Sequence, residues 1–572
     1  MLKQQAVDSC YCIKYSQPYP LLKMKLKLAT LVFVFLTSLS SCKHDSEPTQ
    51  LTNAYIELVS INGFSVYNGE NVYNIPTDSV VIRIVFNTAI DKKKIDPTKL
   101  YISNGIDTSY VFLADTASKQ LNFRIRKPLN YYSTYTLYLA NGENLGVKLI
   151  DSFQFSFVTK LDTTPKFPKI TDDELLTLVQ KQTFKFFWDY GHPTSGLARE
   201  RLNSGDIVTF GGSGFGIMTI PVAIERGFIT RVEGLARMNK IVSFLNLSTT
   251  DKFHGAFPHW MNGTTGKVIP FGTKDNGADL VETAFFMQGL LTVQSYFKNG
   301  NAAEQTLCQN IETLWENVEW DWFQQGGQQK LYWHWSPTYN WDMNMPVTGW
   351  NEGLIIYVLA ASSPTHSITK SVYDNGFARN GAIKNGKTFY GTKLLLGEDY
   401  GGPMFFAHYS FLGLDPRHLS DSYANYWTQN IAHARINYSY CVANPRRNFG
   451  YSANCWGLTA SDIQNSYTAS SPTNDVGVIA PTAALSSFPY TPVESMQALH
   501  FFYYTLGDKI WGNYGFADAF NLNSHWFADS YLAIDQGPIV VMIENYRTGL
   551  LWNLFMQNQN VQAGLTKLGF SY

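Results

Sequence analysis

The chain has 572 residues, and its 44 Lys and Arg residues against 45 Asp and Glu residues give a formal net charge of −1. A near-neutral chain lacks the basic surplus that phosphate binding requires, which argues against nucleic acid as a partner. Charged residues make up only 16% and apolar residues 45%, which excludes a disordered chain. Aromatic residues reach 15%, so the composition suits an uncharged, hydroxyl-rich ligand that stacks on aromatic faces.

Residues 1–42 are predicted to be a targeting segment. From Met24, which is a more convincing start than Met1, a short basic stretch leads into an apolar run of about ten residues, typical of a signal-peptide core. The run ends in Leu39-Ser-Ser-Cys42, which resembles a bacterial lipobox. We expect a periplasmic or cell-surface lipoprotein of a Gram-negative bacterium, held to the membrane only by a lipid on Cys42. A plain secretory signal is the alternative.

The cysteine and histidine patterns predict neither a disulfide framework nor a metal site. If Cys42 carries lipid, the mature chain keeps Cys308, Cys441 and Cys455, of which only Cys441 and Cys455 could pair. The 11 His residues show no zinc-ligand spacing. We therefore expect no metal. We also expect a monomer without a cofactor.

Residues 53–160 have the period-two pattern of β-strands. Runs such as 79–86, 134–139 and 152–159 alternate β-branched or aromatic residues with polar ones, and turn signals separate them. The order of these runs resembles the Ig-like modules attached to bacterial surface enzymes. Residues 161–168 contain prolines and are the predicted linker.

From residue 170 to residue 572 the periodicity is helical. Capping boxes, Thr171 with Glu174 and Thr230 with Glu233, open two of about twelve predicted helices. The remaining predicted helices cover residues 215–226, 276–297, 302–317, 351–361, 366–377, 403–411, 420–442, 480–487, 492–506 and 538–557. Twelve helices would supply six αα-hairpins closed into a ring. We therefore predict a multidomain fold, an all-β Ig-like sandwich followed by a large all-α (α/α)6 barrel, with a solenoid as the alternative.

Three acids in the stretch 274–289 carry the strongest chemical signal. Asp275, Asp279 and Glu282 are spaced i, i+4 and i+7, which would place them on one face of a helix with apolar flanks. Crowded, partly buried carboxylates raise one another's pKa, so one of them can stay protonated as a general acid near neutral pH. A solvated acidic stripe is the alternative.

Glu352 is the second candidate acid. It lies in Gly349-Trp-Asn-Glu-Gly353 at the predicted start of a helix, where an acid that merely favours the helix dipole is the alternative. The glycine-rich run 211–216 matches neither a phosphate-binding loop nor a nucleophile elbow. It is predicted to be a flexible turn into a helix.

Aromatic and polar residues outside these acids are expected to bind the ligand. Trp333, Trp335, Trp341 and Trp350 fall within 18 residues and follow no helical period, which favours stacking on sugar rings over core packing. The candidate hydroxyl-binding groups are His259, Asn351, Glu398, Asp399, Asp475, Gln536 and Arg547. For His259 a buried core position, and for the acids a structural role, are the alternatives.

Eight stretches of the helical region match a known family in order, and they are 184–190, 211–216, 257–260, 279–284, 349–353, 402–417, 479–490 and 535–550. Through them residues 172–565 resemble the putative glucoamylase domain of bacterial proteins, the (α/α)6 fold of glycoside hydrolase family 144. The resemblance implies inverting hydrolysis of β-1,2-glucans and their oligosaccharides. It also implies that Asp275, Asp279, Glu282 and Glu352 are the catalytic acids, with Glu352 and the other three sharing the roles of acid and base in an order left open.

The family implied by this resemblance contains endo-β-1,2-glucanases and exo-enzymes that release sophorose from the non-reducing end. Because the linker has only eight residues, we expect the Ig-like module to pack on the barrel and close one end of the substrate cleft. That arrangement favours exo release of sophorose, whereas a module that is only a spacer is the alternative. Endo action, hydrolysis of another glucan by a glucoamylase-like enzyme, and a non-catalytic glycan-binding lipoprotein are the alternative functions.

Overall fold

The computed structural model describes residues 50–103, 110–112 and 118–572, with only the backbone described for 110–112. The predicted targeting segment and its Cys42 lie outside the described residues. Among the residues described, no helix combines the length and the apolar character needed to cross a membrane.

The N-terminal part of the described chain is rich in β-structure. A five-stranded sheet in the order β3-β2-β5-β8-β7 and a four-stranded sheet in the order β4-β12-β9-β6 enclose one apolar core, and β1-β11-β10 form a small third sheet. Alternate residues of these strands, such as Phe123 and Leu137, are buried in that core. The strands are β1 (Asn53–Ala54), β2 (Ile56–Ile61), β3 (Phe64–Val66), β4 (Asn71–Ile75), β5 (Val81–Phe86), β6 (Leu100–Ile102), β7 (Tyr110–Phe112), β8 (Gln120–Ile125), β9 (Thr134–Leu139), β10 (Gly142–Asn144), β11 (Val147–Leu149) and β12 (Phe153–Thr159).

The larger, C-terminal part is helical. Its α-helices are α1 (Asp172–Trp188), α2 (Phe210–Glu225), α3 (Arg231–Leu245), α4 (Leu280–Phe297), α5 (Ala302–Glu316), α6 (Leu354–Ser362), α7 (Lys370–Asn375), α8 (Tyr426–Ala443), α9 (Pro481–Leu485), α10 (Pro492–His500), α11 (Gly507–Ile510), α12 (Ala533–Arg547), α13 (Leu550–Met556) and α14 (Gln559–Leu568). Short strands lie in its loops: β13 (Ile207–Thr209), β14 (Trp260–Asn262), β15 (Val268–Ile269), β16 (Ala278–Asp279), β17 (His334–Trp335), β18 (Thr388–Phe389), β19 (Thr392–Lys393), β20 (Ala460–Ile463), β21 (Ser466–Ala469), β22 (Trp511–Gly512), β23 (Gly515–Phe516), β24 (Phe520–Asn521) and β25 (Trp526–Phe527).

Five helices form the buried centre of the helical part. They are neighbours in the order α9-α12-α2-α4-α6, and most of their residues are buried. Their first turns meet: Thr482 of α9 donates a hydrogen bond of 2.8 Å to the carbonyl oxygen of Asp535 in α12, and Gly212 of α2 lies directly against Ala533 of α12. We call the end of the helical part where these helices begin the N-terminal face.

The β-rich part packs on loops of this N-terminal face. Tyr132 stacks on His525 with ring centroids 4.1 Å apart and donates a hydrogen bond of 3.1 Å to the carbonyl oxygen of Leu522. Tyr73 stacks on Phe449 at 5.5 Å. These contacts lie in the loops that lead into α9 and α12, so the β-rich part borders the same face as the first turns of the buried helices.

The glycine run 211–216 is not the flexible turn that its sequence suggests, because it lies inside α2 and is fully buried. Its glycines let α2 and α4 approach closely. A Cβ on Gly214 would overlap the carbonyl oxygen of Phe285, and one on Gly289 would overlap the carbonyl oxygen of Gly214. Close packing of backbone against backbone therefore selects glycine here.

Other helix boundaries differ from the sequence prediction for local reasons. The predicted helix 538–557 is two helices, because Gly549 adopts a left-handed conformation (φ +72°) between α12 and α13. Residues 403–411 form two short 3-10 turns, Met404–Ala407 and Tyr409–Phe411, and residues Phe501–Thr505 form a π-turn after α10. Cys441 and Cys455 are both buried and unpaired.

We expect Gly214→Ala to destabilise the fold by roughly 1–3 kcal/mol, because the added methyl has no space between α2 and α4. Gly234→Ala in α3 is the matched control. Its new Cβ would lie 2.6 Å from Cδ1 of Ile224, the movable end of a side chain, and it gains helix propensity. Denaturant unfolding measures both, and equal stability of the two variants would contradict the backbone-contact explanation.

Candidate active site

Asp279 lies at the N-cap of α4 and not inside the helix. Its Oδ1 accepts hydrogen bonds from the backbone N–H groups of Val281 and Glu282, both at 2.9 Å. The helix therefore begins at Leu280, and the expectation that Asp275, Asp279 and Glu282 share one helical face is wrong. The physical reason is that a capping carboxylate accepts hydrogen bonds from the free N–H groups of the first turn. Asp279 therefore marks the N-terminal boundary of α4.

Asp275 and Asp279 still lie close together, because His334 contacts both acids, and a second histidine contacts Asp279. Asp279 pairs with His334 across β16 and β17, and His334 Nε2 lies 3.3 Å from Oδ2 of Asp275 and 3.7 Å from Oδ2 of Asp279. The second histidine, His259, has its Nδ1 2.9 Å from Oδ2 of Asp279. Asp275 and Asp279 are 5% and 0% exposed, so the histidines take the place of water as polar partners of these carboxylates.

Glu282 is held by the first turn of α2. Its Oε2 accepts hydrogen bonds from the backbone N–H of Gly211 at 2.5 Å and from Thr209 Oγ1 at 3.0 Å. A Cβ on Gly211 would lie 2.8 Å from Oε1 of Glu282, so glycine is required for this approach. Burial and the charge of Asp279 raise the pKa of Glu282 against the opposing charge of His259 and these hydrogen bonds.

Glu352 occupies a supported turn just before α6. Oδ1 of Asn351 accepts the backbone N–H of Gly353 at 2.8 Å. The hydroxyl of Ser410 donates to the carbonyl oxygen of Glu352 and accepts the N–H of Ile355 at 3.0 Å. Burial, with smaller contributions from the charges of Asp279 and Glu282, raises the pKa of Glu352 to about 7. This carboxyl group can therefore carry a proton near neutral pH.

The carboxyl and imidazole groups of the site therefore differ in their protonation near neutral pH. Burial by itself would raise the pKa of Asp279, but the hydrogen bond from His259 and the charges of His334 and His259 lower it. Burial would lower the pKa of His259, yet the charge of Glu282 and the hydrogen bond to Asp279 raise it to about 9. The carboxylate of this imidazolium–carboxylate pair lies close enough to the protonatable Glu352 for its charge to raise the pKa of Glu352, an arrangement suited to general acid–base chemistry.

His259, Asp275 and Asp279 offer ligand atoms within 4.8 Å of one another, a spacing that could hold a metal ion. The contacts of His259 and His334 with these two acids bring the three side chains together.

The predicted tryptophans divide into two groups. Trp333 and Trp335 are partly buried on either side of His334, and Trp335 lies edge-on to His254 at 5.0 Å. Trp350 is only 6% exposed and packs against Phe411 and Tyr426 in the core. Trp350 therefore offers no face to a sugar ring, contrary to expectation.

Several of the predicted hydroxyl-binding residues have structural partners in this structure. Asp475 accepts hydrogen bonds from Tyr440, Tyr451, Asn448 and the backbone of Gly477, so it organises the loop before α9. Gln536 donates to the carbonyl oxygen of Phe516 at 2.8 Å.

Three further predicted residues do not join the acidic site by any described contact. Asp399 is paired with Lys387 at 2.8 Å, and Glu398 is exposed beside it. Arg547 lies at the end of α12 opposite the N-terminal face, where its guanidinium binds α1 through Gln180 at 2.7 Å and Asp173 at 2.6 Å. Arg547 lies at the opposite end of α12 from the acids, so it is not part of the acidic site.

The structure adds residues that the sequence interpretation did not select. His334 bridges two acids, and Ser410 fixes the turn of Glu352. Phe271 is 52% exposed and stacks on His259 at 4.1 Å, which places an open aromatic face beside the acids. His334 had a visible signal, an imidazole between two tryptophans, whereas nothing local marks Phe271 or Ser410.

We expect His259 to remain protonated at pH 8 and Asp279→Asn to lower its pKa, because the amide keeps a hydrogen bond but loses the charge. The folded-state pKa of about 9 lies above the unfolded value of about 6.5. The interaction therefore stabilises the fold fully below the unfolded value and is lost as pH rises through about 9. NMR titration of the imidazole measures the shift. Asp206→Asn, beside His192, is the control that should leave His259 unchanged.

Comparison with known proteins identifies relatives of the helical part. A family model described as putative glucoamylase matches residues 344–559. An exo β-1,2-glucooligosaccharide sophorohydrolase (non-reducing end) of Parabacteroides distasonis is 48% identical over an alignment of 421 residues, which covers 70% of this chain and 58% of that protein. The chain therefore spans less than two thirds of that relative.

Two solved structures are similar to this one. An endo-β-1,2-glucanase from Chitinophaga pinensis, in complex with sophorotriose and glucose, has a TM-score of 0.69 and 53% identity over 71% of this chain and 99% of its own. A β-1,2-glucanase from Parabacteroides distasonis has a TM-score of 0.68 and 40% identity over 90% of this chain and 74% of its own.

At 53% identity, this chain covers almost the whole of the solved Chitinophaga pinensis chain. The family model matches the stretch that contains Glu352 and α12. The chain belongs to the putative glucoamylase family.

Proposed function

We propose that this protein is an inverting glycoside hydrolase that releases sophorose from the non-reducing end of β-1,2-glucooligosaccharides. One observation carries the proposal: a buried carboxyl group with a pKa of about 7 lies within reach of the charge of Asp279, a carboxylate that two histidines contact. The sophorohydrolase activity of a relative that is 48% identical supports the substrate and the product.

In this proposal Glu352 is the general acid. Its carboxyl group donates a proton to the glycosidic oxygen while the bond from that oxygen to the anomeric carbon breaks. Burial raises its pKa to about 7, which keeps enough of the group protonated at neutral pH. The fixed turn around Asn351 and Ser410 holds the group in place for this transfer.

Asp275 is the better candidate for the general base. Asp279 is fully buried, and both of its oxygens already accept hydrogen bonds. Asp275 contacts His334 through Oδ2, while its Oδ1 has no hydrogen-bond partner among the described residues. That oxygen can accept a proton from a water molecule that attacks the anomeric carbon from the opposite side, which inverts the configuration.

Exo action is supported by the position of the β-rich part. Tyr132 and Tyr73 pack on loops of the N-terminal face, the face at which the acids lie. A wall at one end of a cleft stops a long chain from passing through and leaves room for a chain end. Endo action is the second candidate, because the Chitinophaga pinensis endo-β-1,2-glucanase is 53% identical.

The finer architecture is part of this proposal. We propose that the helical part is an (α/α)6 barrel of glycoside hydrolase family 144 and that the β-rich part is an Ig-like sandwich. The row of buried helices α9-α12-α2-α4-α6 and the two sheets around one core support these assignments. We further propose a monomeric lipoprotein of the periplasm or cell surface, anchored at Cys42.

Glu352→Gln should reduce kcat on β-1,2-glucooligosaccharides by roughly 10²–10⁴-fold with little change in KM, because the amide cannot donate the proton. Wild-type activity should fall as pH rises through about 7, since Glu352 is active only when protonated. Glu316→Gln, an exposed glutamate at the end of α5, is the control. A Glu352→Gln enzyme with wild-type kcat would remove Glu352 from the mechanism.

Products followed over time should distinguish the two candidate functions. Exo action predicts early sophorose as the main product from short β-1,2-glucooligosaccharides, released as the inverted anomer in NMR spectra. A mixed ladder of products from linear β-1,2-glucan would establish endo action instead. Cleavage of starch fragments without cleavage of either substrate would overturn the proposed linkage.

A further inference from the structure

A cavity of about 390 Å³ lies on the N-terminal face outside the acidic site. It opens between the hairpin of β20 and β21 and the segment 526–530. The residues that line it include Arg201, Asp462, Tyr467, Trp526, Asp529 and Ser530. Its volume falls within the range of small-molecule sites, about 300–1,000 Å³.

The polar groups on one wall of the cavity are held in place by hydrogen bonds to one another. Arg201 Nη1 donates to both oxygens of Asp462 at 2.9 and 3.2 Å, and its Nε donates to Glu200 at 2.9 Å. Ser530 donates a further hydrogen bond of 2.5 Å to Asp462. The backbone N–H of Asp462 is itself bound by the buried carboxylate of Asp518 at 2.7 Å. Planar, fixed groups of this kind suit the hydroxyls of a sugar.

The apolar wall is aromatic and partly open. Tyr467 on β21 is 46% exposed. Trp526 is half-buried and packs with Ile463 against Val478 and Ala519. Aromatic faces with adjacent polar groups are suited to an uncharged sugar ring. A phosphate or carboxylate would meet Glu200, Asp462 and Asp529 against the one guanidinium of Arg201.

A short path through the fold connects this cavity to the acidic site. Arg201 pairs with Leu532, and the N–H of Ala533 donates to the carbonyl oxygen of Glu200 at 2.9 Å. Ala533 lies against Gly212 of α2, and the preceding glycine binds Glu282. The cavity is therefore one helix away from the acids on the same face.

The far side of the cavity adjoins the β-rich part. Trp526 follows His525, and His525 stacks on Tyr132 and lies 3.0 Å from the hydroxyl of Thr134. A sugar chain that enters the cavity from the acidic site meets this contact at the other end. The position of the β-rich part therefore limits how many sugar units fit beyond the bond that is cleaved.

We propose that this cavity is the subsite for the terminal, non-reducing glucosyl unit, the outer of the two units released as sophorose. Tyr467 and Trp526 stack on that ring, and the Arg201–Asp462 pair binds its hydroxyls. The inference rests on the proposed function and deepens it by naming where the substrate ends.

Sophorose binding to the Glu352→Gln enzyme, measured by calorimetry, tests the subsite without turnover. Adding Tyr467→Ala or Trp526→Ala should weaken the Kd for sophorose by about tenfold or more, as expected for the loss of one aromatic stacking contact. Tyr546→Ala in the same background is the matched control, because this exposed tyrosine lies at the opposite end of α12. Thermal unfolding of each variant checks that the fold is intact.

The outcomes separate this inference from the proposed function. Unchanged sophorose affinity in both Tyr467→Ala and Trp526→Ala would overturn the subsite, while an active wild type would leave the proposed function standing. A wild type that neither binds sophorose nor cleaves β-1,2-glucooligosaccharides would overturn both. Two results together would support the subsite. Both variants should bind sophorose more weakly, and in enzyme that retains Glu352 the same substitutions should raise KM by a larger factor than they lower kcat.

Discussion

The carboxylate of Asp279 is the group on which the rest of the site depends. One oxygen caps α4 through two backbone N–H groups, and the other binds His259 and lies near His334. The same charge therefore fixes where the helix begins and keeps an imidazolium in place. It also acts on Glu282 and Glu352, whose pKa values it raises. The charge of Asp279 therefore contributes to the start of α4 and, together with burial, to the protonation of its neighbours.

Burial lets the charge of Asp279 act strongly on neighbouring groups. The first turns of α2, α4 and α6 are surrounded by apolar side chains, so charges are weakly screened there and neighbouring acids differ in protonation. Glycine makes this density possible, because Gly211 lets Glu282 approach α2 and Gly214 lets α2 approach α4. The packing that stabilises the helical part is therefore the packing that tunes the acids.

The loops that lead into α9 and α12 lie between the buried helices and the β-rich part. The loops before α9 and α12 carry the hairpin with Tyr467 and the segment with Trp526, and the β-rich part rests on their outer side. A relative with exo action and one with endo action are both about half identical to this chain. Sequence identity of this order therefore does not by itself distinguish exo from endo action.

Local patterns in the sequence predicted much of the local structure and singled out the candidate acids. The capping boxes at Thr171 and Thr230 form as predicted, and the period-two runs are strands. Asp275, Asp279 and Glu282 were candidates because of their spacing among apolar residues, and Glu352 because it precedes a predicted helix. Only the tertiary structure decided that Asp279 is a cap, that Trp350 is buried and Phe271 exposed, and that Arg547 faces away. These outcomes depend on contacts between distant segments, such as Glu282 with Gly211, 71 residues apart, which no local pattern encodes.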